Sequence, residues 1–139
     1  WAARLHEIGA HISHSSYHRH GAYIMDNAEA PGFALPELHN LSQLVLGQRG
    51  KLHKLDADFR EVPFCSQLLA LRLAVILCHA RRNPQMEGLQ LQRRLLPTLS
   101  FTLSVTRDWA QAHPQSLYLL QQEVEAWNRI NPNFKLQIR

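Results

Sequence analysis

One segment, from Phe64 to about Arg82, constrains the fold more than any other part of the sequence. It follows Pro63, which suits the first turn of a helix, and it is apolar on nearly every side of a helical projection. A helix of that kind needs other elements to cover it. Its most apolar stretch, Leu68 to Cys78, contains Arg72 and is far shorter than the roughly 20 residues that span a bilayer. The segment therefore predicts a central, buried helix and no membrane span.

Helical spacing of apolar residues predicts three further helices before this one. They cover Trp1 to about Ser15, Tyr17 to about Ala28, and Pro36 to Gly47. In the second of them, Tyr23 and Ile24 are expected to point inward. These helices would supply the cover that the buried helix requires.

After Asn83-Pro84 the periodicity of the sequence changes. The runs Leu89 to Leu96 and Leu99 to Val105 alternate in part between apolar and polar residues, which is typical of an antiparallel pair of strands. A helix is predicted from Pro114 to about Asn128, and Phe134 to Ile138 alternates as a last strand. The predicted fold class is α+β, mostly α.

The chain is expected to have two parts, a helical body over residues 1–83 and a small β-β-α-β unit over residues 84–139. Trp1 already lies within a helical pattern and has no capping residue before it, which indicates a fragment that is truncated at its N-terminus. Cys65 and Cys78 have neither disulfide-framework numbers nor zinc-ribbon spacing, so a reducing cytoplasm and inert, buried thiols are expected.

The charge of the chain favours a polyanionic partner without identifying it. The formal net charge is +4, and nine histidines add to it as the pH falls. The sequence contains neither a glycine-rich phosphate loop nor a Gly-x-Ser-x-Gly elbow, and no recognition helix or RNA motif is evident. Specific nucleic-acid binding is therefore not expected.

Four short motifs occur in a characteristic order, and together they carry a resemblance to a known family. The chain resembles the exopolyphosphatase and guanosine pentaphosphate phosphohydrolase family, in the helical domain that is itself similar to HD-type phosphohydrolases. The β-β-α-β tail favours the exopolyphosphatase branch. The motifs are Leu5-His6-Glu7-Ile8-Gly9, His18-Arg19-His20-Gly21-Ala22-Tyr23-Ile24, Pro31-Gly32-Phe33 and Leu71-Arg72-Leu73-Ala74.

This resemblance implies a parent hydrolase that removes terminal phosphate from inorganic polyphosphate. In such a parent, a pair of actin-like ATPase-type domains holds the catalytic carboxylate and the magnesium. The part seen here, with residues 1–83 as the HD-like domain, is expected to guide polyphosphate along a basic channel and to support a homodimer. It is not expected to contain a catalytic centre or a cofactor of its own.

Two basic runs are the candidate polyphosphate-binding segments, because several cations on one surface can contact successive phosphates of a linear polyanion. A purely solvated charged face is the alternative reading of either run. A second basic group, Arg81, Arg82, Arg93 and Arg94, flanks the β-unit and is expected to matter less. The candidate binding residues are Arg49, Lys51, His53 and Lys54 in one run and His18, Arg19 and His20 in the other.

A metal-dependent function is the alternative. HD hydrolases bind their metal through a His-Asp pair with further His and Asp ligands. Here His6-Glu7 stands in place of that pair, and Val75 or Cys78 lies where the late Asp is needed, so a degenerate remnant without metal is expected. The competing hypothesis is an independent HD-type phosphohydrolase that acts on nucleotides or phosphate esters through His6 and Glu7.

A separate metal site would require three imidazoles on one helical face. His11, His14 and His18 have a suitable spacing if the helix runs straight through them. Ser15-Ser16 is expected to interrupt that helix, which favours surface histidines without a metal.

Overall fold

The computed structural model describes residues 1–130 and 133–139; residues 131 and 132, within the predicted C-terminal unit, lie outside the described part. The chain divides into two compact units, Trp1–Arg72 and Leu73–Arg139. The predicted domain boundary after residue 83 stays a prediction. The fold class is confirmed as α+β and mostly α, because helices dominate the described residues and a small three-stranded sheet accompanies them.

The first unit contains four α-helices, the last of which continues into the second unit, and two short 3₁₀ helices. The antiparallel neighbours α2 and α3 bury a shared apolar cluster that includes Met25, Leu41 and Val45. The elements are α1 Ala2–Leu5, a 3₁₀ helix Ile8–His11, α2 Tyr17–Asn27, α3 Leu35–Gly47, a 3₁₀ helix Leu52–Lys54, and α4 Val62–Leu77.

The prediction of one helix from Trp1 to Ser15 is wrong. A Cβ at Gly9 would lie 1.9 Å from the Tyr17 carbonyl oxygen and 2.4 Å from the Gly21 nitrogen, so the backbone at Gly9 is packed directly against α2. The chain must turn back to make this contact, and Ser16 does so in the left-handed region with φ 54°. The requirement for close packing therefore overrides the helical spacing.

Helix α3 begins as the sequence indicates, with Pro36 in its first turn. The Glu37 carboxylate accepts a hydrogen bond from the Ala34 backbone N–H at 2.7 Å, which satisfies one of the donors exposed at the helix start. Its inward face carries Ser42, whose hydroxyl lies 3.0 Å from the Ala22 carbonyl on α2. Tyr23 on α2 is 67% exposed, so its predicted inward orientation is wrong.

Helix α4 is buried at most positions between Phe64 and Leu73, but Gln67, Ala70 and Ala74 are exposed, so it is not covered on nearly every side as predicted. It also ends at Leu77 rather than near Arg82. A turn follows, in which the Arg81 N–H donates to the Cys78 carbonyl at 2.8 Å. Cys65 is buried, and its pKa is raised to about 11, chiefly because burial disfavours the thiolate. Cys78 is exposed, so the expectation that both thiols are buried is wrong for Cys78.

The second unit is built on a three-stranded sheet in the order β1-β2-β3. Strands β1 Leu89–Arg94 and β2 Ser100–Val105 are antiparallel, and β3 Phe134–Ile138 is parallel to β2. Two helices, α5 Arg107–Ala112 and α6 Pro114–Asn128, connect β2 to β3, so the predicted unit has one more helix than expected. The buried Trp127 indole N–H donates to Glu123 at 2.6 Å within α6.

No helix in residues 1–130 and 133–139 is both long and apolar enough to cross a membrane.

Candidate anion-binding site

Three segments of the first unit bring positive side chains together. The start of α2 contributes three residues, the loop after α3 contributes two, and α4 contributes one. Their mutual influence is seen in the lowered pKa values of His18 and Lys54, on which the neighbouring cations act. We refer to this group as the cation cluster; it consists of His18, Arg19, His20, Arg49, Lys54 and Arg72.

Arg72 connects the cation cluster to the core of the unit. Its side chain projects from the apolar helix α4, and the residue is only 5% exposed. One guanidinium nitrogen, Nη1, donates to the Gly47 carbonyl at 2.5 Å and to the Gly50 carbonyl at 3.1 Å. Gly47 ends α3, where a helix presents its partial negative charge, so a cation is favourable there. Arg72 thereby fixes the beginning of the loop that carries Arg49 and Lys54.

Lys54 is held against the same loop. Its Nζ donates to the Arg49 carbonyl at 2.7 Å. The pKa of Lys54 is lowered from 10.5 to about 8, first because burial disfavours the ammonium and then because Arg72, Arg19 and Arg49 repel it. The ammonium is therefore predominantly charged at pH 7, in surroundings that do not favour that charge.

The environment of His18 is perturbed as well. Its Nδ1 is buried and has no hydrogen-bond partner among residues 1–130 and 133–139. The pKa of His18 is lowered from 6.5 to about 4 by burial, followed by repulsion from Lys54, Arg49, Arg19 and His20. The imidazole is consequently neutral at pH 7.

Arg49 also contacts the start of α2. Its guanidinium carbon lies 5.3 Å from the centre of the Tyr17 ring. Such a cation-π contact contributes about 0.5 to 1 kcal/mol at an exposed site. It ties the loop after α3 to the helix that carries His18, Arg19 and His20.

The charges resolved around His18 and Lys54 are all positive. A nearby carboxylate would raise the pKa of His18 or Lys54, yet every charge resolved around these two groups lowers it. Carboxylates of this unit have their partners elsewhere: Asp58 forms an ion pair with Arg60 at 2.9 Å, and Asp26 lies 3.1 Å from the His39 imidazole. An anion bound at the cluster would relieve repulsion that the folded chain otherwise retains.

The structure separates the predicted loop residues into two groups. Arg49 and Lys54 lie close enough to act electrostatically on His18, together with Arg19 and His20. Lys51 and His53 are exposed, and neither is among the charges that act on His18 or Lys54. All seven residues stay predicted binding residues.

Arg72 was not among the predicted site residues. The available signal was a single arginine within an otherwise apolar helix, because a charge is retained in such a position only when polar groups surround it.

The predicted remnant of a metal site, His6 and Glu7, is not arranged as a set of metal ligands. His6 Nδ1 lies 2.7 Å from the Ala3 carbonyl oxygen, and Glu7 is exposed. Over the described ranges 1–130 and 133–139, no three His, Cys, Asp or Glu residues are grouped so as to hold a metal ion. His11 ends a 3₁₀ helix while His18 lies in α2 beyond the turn at Ser16, so the spacing of these histidines does not define one helical face.

Comparison with known proteins identifies the family of this chain and the domain of that family to which it corresponds. The profile of the Ppx/GppA phosphatase family, domain III, matches residues 1–124. The chain belongs to the Ppx/GppA phosphatase family, within which it corresponds to domain III. The predicted family is therefore confirmed.

Three similar relatives are each named guanosine-5'-triphosphate,3'-diphosphate pyrophosphatase. The protein of Pseudoalteromonas translucida is 34% identical over 133 residues, covering 87% of this chain and 24% of the relative. That of Vibrio atlanticus is 31% identical over 140 residues, with coverages of 99% and 27%. That of Aeromonas salmonicida is 33% identical over 129 residues, with coverages of 90% and 25%. The chain thus spans about a quarter of the length of the curated relatives it matches.

Proposed function

We propose that this chain is the polyphosphate-guiding C-terminal domain of a Ppx/GppA-family hydrolase that removes terminal phosphate from inorganic polyphosphate. The observation that carries the proposal is the convergence of cations from α2, the loop after α3 and α4, with every resolved charge around His18 and Lys54 being positive. Polyphosphate is a linear chain of closely spaced anions, so several of its phosphates can contact such a group at once.

The cluster is suited to guiding a chain rather than to breaking a bond. Exposed charges are individually weak partners, because salt screens them over about 8 to 10 Å. Several cations on one polyanion release several counterions, so their effects accumulate. The described residues offer no metal-ligand group beside the cluster that could activate water.

The proposal assigns the chemistry to the rest of the protein. Actin-like ATPase-type domains would supply the catalytic carboxylate and bind the magnesium ion, which acts as a Lewis acid on phosphoryl oxygens. The matched relatives are about four times the length of this chain, which leaves room for such domains. A cytoplasmic homodimer completes the proposed setting.

The test is a titration of labelled long-chain polyphosphate at several salt concentrations. The double variant Arg49→Ala/Lys54→Ala removes two charges from the cluster, and Arg93→Ala/Arg94→Ala removes two from strand β1 as a matched control. If Arg49 and Lys54 each neutralise one phosphate, the first variant should flatten the slope of log affinity against log salt concentration by roughly 1.5. Circular dichroism checks that both variants fold.

The control should change the slope much less. Equal losses in the two double variants would show that nonspecific charge explains the binding, and the guiding role would be abandoned. Lys51→Ala measures separately what the rest of the predicted run contributes, since Lys51 is exposed and lies outside the cluster.

The names of the relatives favour a second candidate ligand, guanosine-5'-triphosphate,3'-diphosphate. A linear polyphosphate of five phosphates provides a matched competitor. If the guanosine nucleotide displaces labelled ligand at much lower concentration than the five-phosphate chain, the nucleotide is the preferred ligand. The reverse order supports polyphosphate.

A further inference from the structure

His18 combines two features that bear on how the site is used. Its buried Nδ1 lacks a partner among the described residues, and the cations that surround it come from two segments of the chain. A neutral imidazole in this position adds no charge to the free cluster. It can nevertheless accept a proton once the surrounding positive charge is offset.

We propose that anion binding at the cation cluster is coupled to proton uptake at His18, so that the site holds phosphate more tightly as the pH falls. The inference rests on the proposed function only in requiring that the cluster bind an anion. It does not depend on whether the anion is polyphosphate or a nucleotide.

The groups facing His18 determine the direction of the coupling. Lys54 and Arg49 act on it from the loop after α3, and Arg19 and His20 act from its own helix. The Tyr17 ring meets the imidazole edge-on, with the ring centres 6.1 Å apart. Glu7 precedes the adjoining 3₁₀ helix and His11 ends it, and both are exposed to solvent.

A bound anion acts on His18 in two ways. It offsets the four neighbouring positive charges, which by itself raises the pKa of His18. An anionic oxygen that reaches the ring also provides an acceptor, which the protonated imidazole needs because both of its nitrogens then donate.

The size of the coupling follows from the pKa of His18 in the free and the bound protein. The pKa in the free protein is about 4, and the ordinary value of 6.5 serves as the reference for the complex. Linkage between these two values gives about a 20-fold gain in affinity from pH 7 to pH 5, with nearly one proton taken up near pH 5.3. Lys54, with its pKa of about 8, would take up a proton only at higher pH, so the two effects are separable.

Isothermal titration calorimetry at pH 5.3 tests the proposal, using buffers of different ionisation enthalpy. Sulfate is the first probe because it does not itself titrate in this range, and tripolyphosphate is the second. Wild-type protein should take up a proton on binding sulfate, and so should the control His14→Gln, which removes an exposed histidine outside the cluster. His18→Gln should bind without that uptake and lose most of the affinity gain at low pH.

A direct measurement covers the case in which His18→Gln fails to fold. The pKa of the His18 imidazole in wild-type protein, followed by nuclear magnetic resonance, should rise when sulfate is added. Binding without proton uptake, or uptake that persists in folded His18→Gln, overturns this inference and leaves the proposed function standing. Absence of binding by both anions overturns the two together.

Discussion

Replacing Arg72 with Met tests whether the cation cluster is built on a buried guanidinium. Hydrogen bonds from charged donors contribute about 1.5 to 3 kcal/mol each, and Arg72 donates to the backbone carbonyls of Gly47 and Gly50. The Gly50 carbonyl belongs to an exposed residue and can turn to water, whereas Gly47 is buried and its carbonyl loses its donor. Removal of a buried charge offsets part of the loss. The free energy of unfolding should therefore fall by about 2 to 4 kcal/mol.

Urea unfolding followed by circular dichroism measures this change. For a chain of this size the melting temperature should fall by roughly 3 °C per kcal/mol. Gln67→Met is the matched control, because Gln67 is an exposed position on the same helix and should change stability by less than about 0.5 kcal/mol. Affinity for long-chain polyphosphate should also fall in folded Arg72→Met, because the loop carrying Arg49 and Lys54 loses its anchor. Stability and affinity both matching those of Gln67→Met would refute the reasoning.

Three further predictions follow from local geometry. In urea unfolding, Gly9→Ala should destabilise the chain by about 3 kcal/mol or more through steric overlap. Gly32→Ala, at φ 95° with open space around it, should cost only about 1 kcal/mol. Similar losses in the two variants would contradict the packing at Gly9. A thiol reagent at pH 8 should label Cys78 rapidly and Cys65 only after unfolding, so rapid labelling that survives Cys78→Ser would count against the burial of Cys65. The purified chain should release no phosphate from polyphosphate with magnesium added, and turnover abolished by His6→Ala would revive the metal-dependent hypothesis.

Much of the second unit is predictable from the sequence because its signals are local. Alternation marked the strand Ser100–Val105, and Pro114 marked the start of α6. The first unit was less predictable at Gly9, where the break in the helix depends on contact with α2, a segment that local spacing cannot report. The end of α4 was also missed, because apolar and helix-compatible residues continue to Arg82 after the helix stops at Leu77.

The site, like the fold, is predictable where it depends on neighbouring residues in the sequence and not where it depends on contacts between distant segments. Charge density along the chain predicted Arg49 and Lys54, yet it could not separate them from Lys51 and His53 in the same run. That separation depends on which side chains approach α2 and α4. Arg72 lies far along the sequence from the loop that it anchors, and only the folded arrangement shows that it donates to the carbonyls of that loop.

The cation cluster implies a trade-off between the thermal stability of the domain and its affinity for an anion. The folded chain lowers the pKa values of His18 and Lys54, which means that folding opposes their positive charge. His18 is already neutral at pH 7, so a neutral side chain of similar size at Lys54 is the change that would relieve this opposition in the ligand-free protein. Laboratory evolution for thermal tolerance alone would accordingly favour the loss of the Lys54 charge, because stabilising substitutions often arise where a site is arranged for binding rather than for stability. Stabilised versions of this domain should therefore be selected with the anion present.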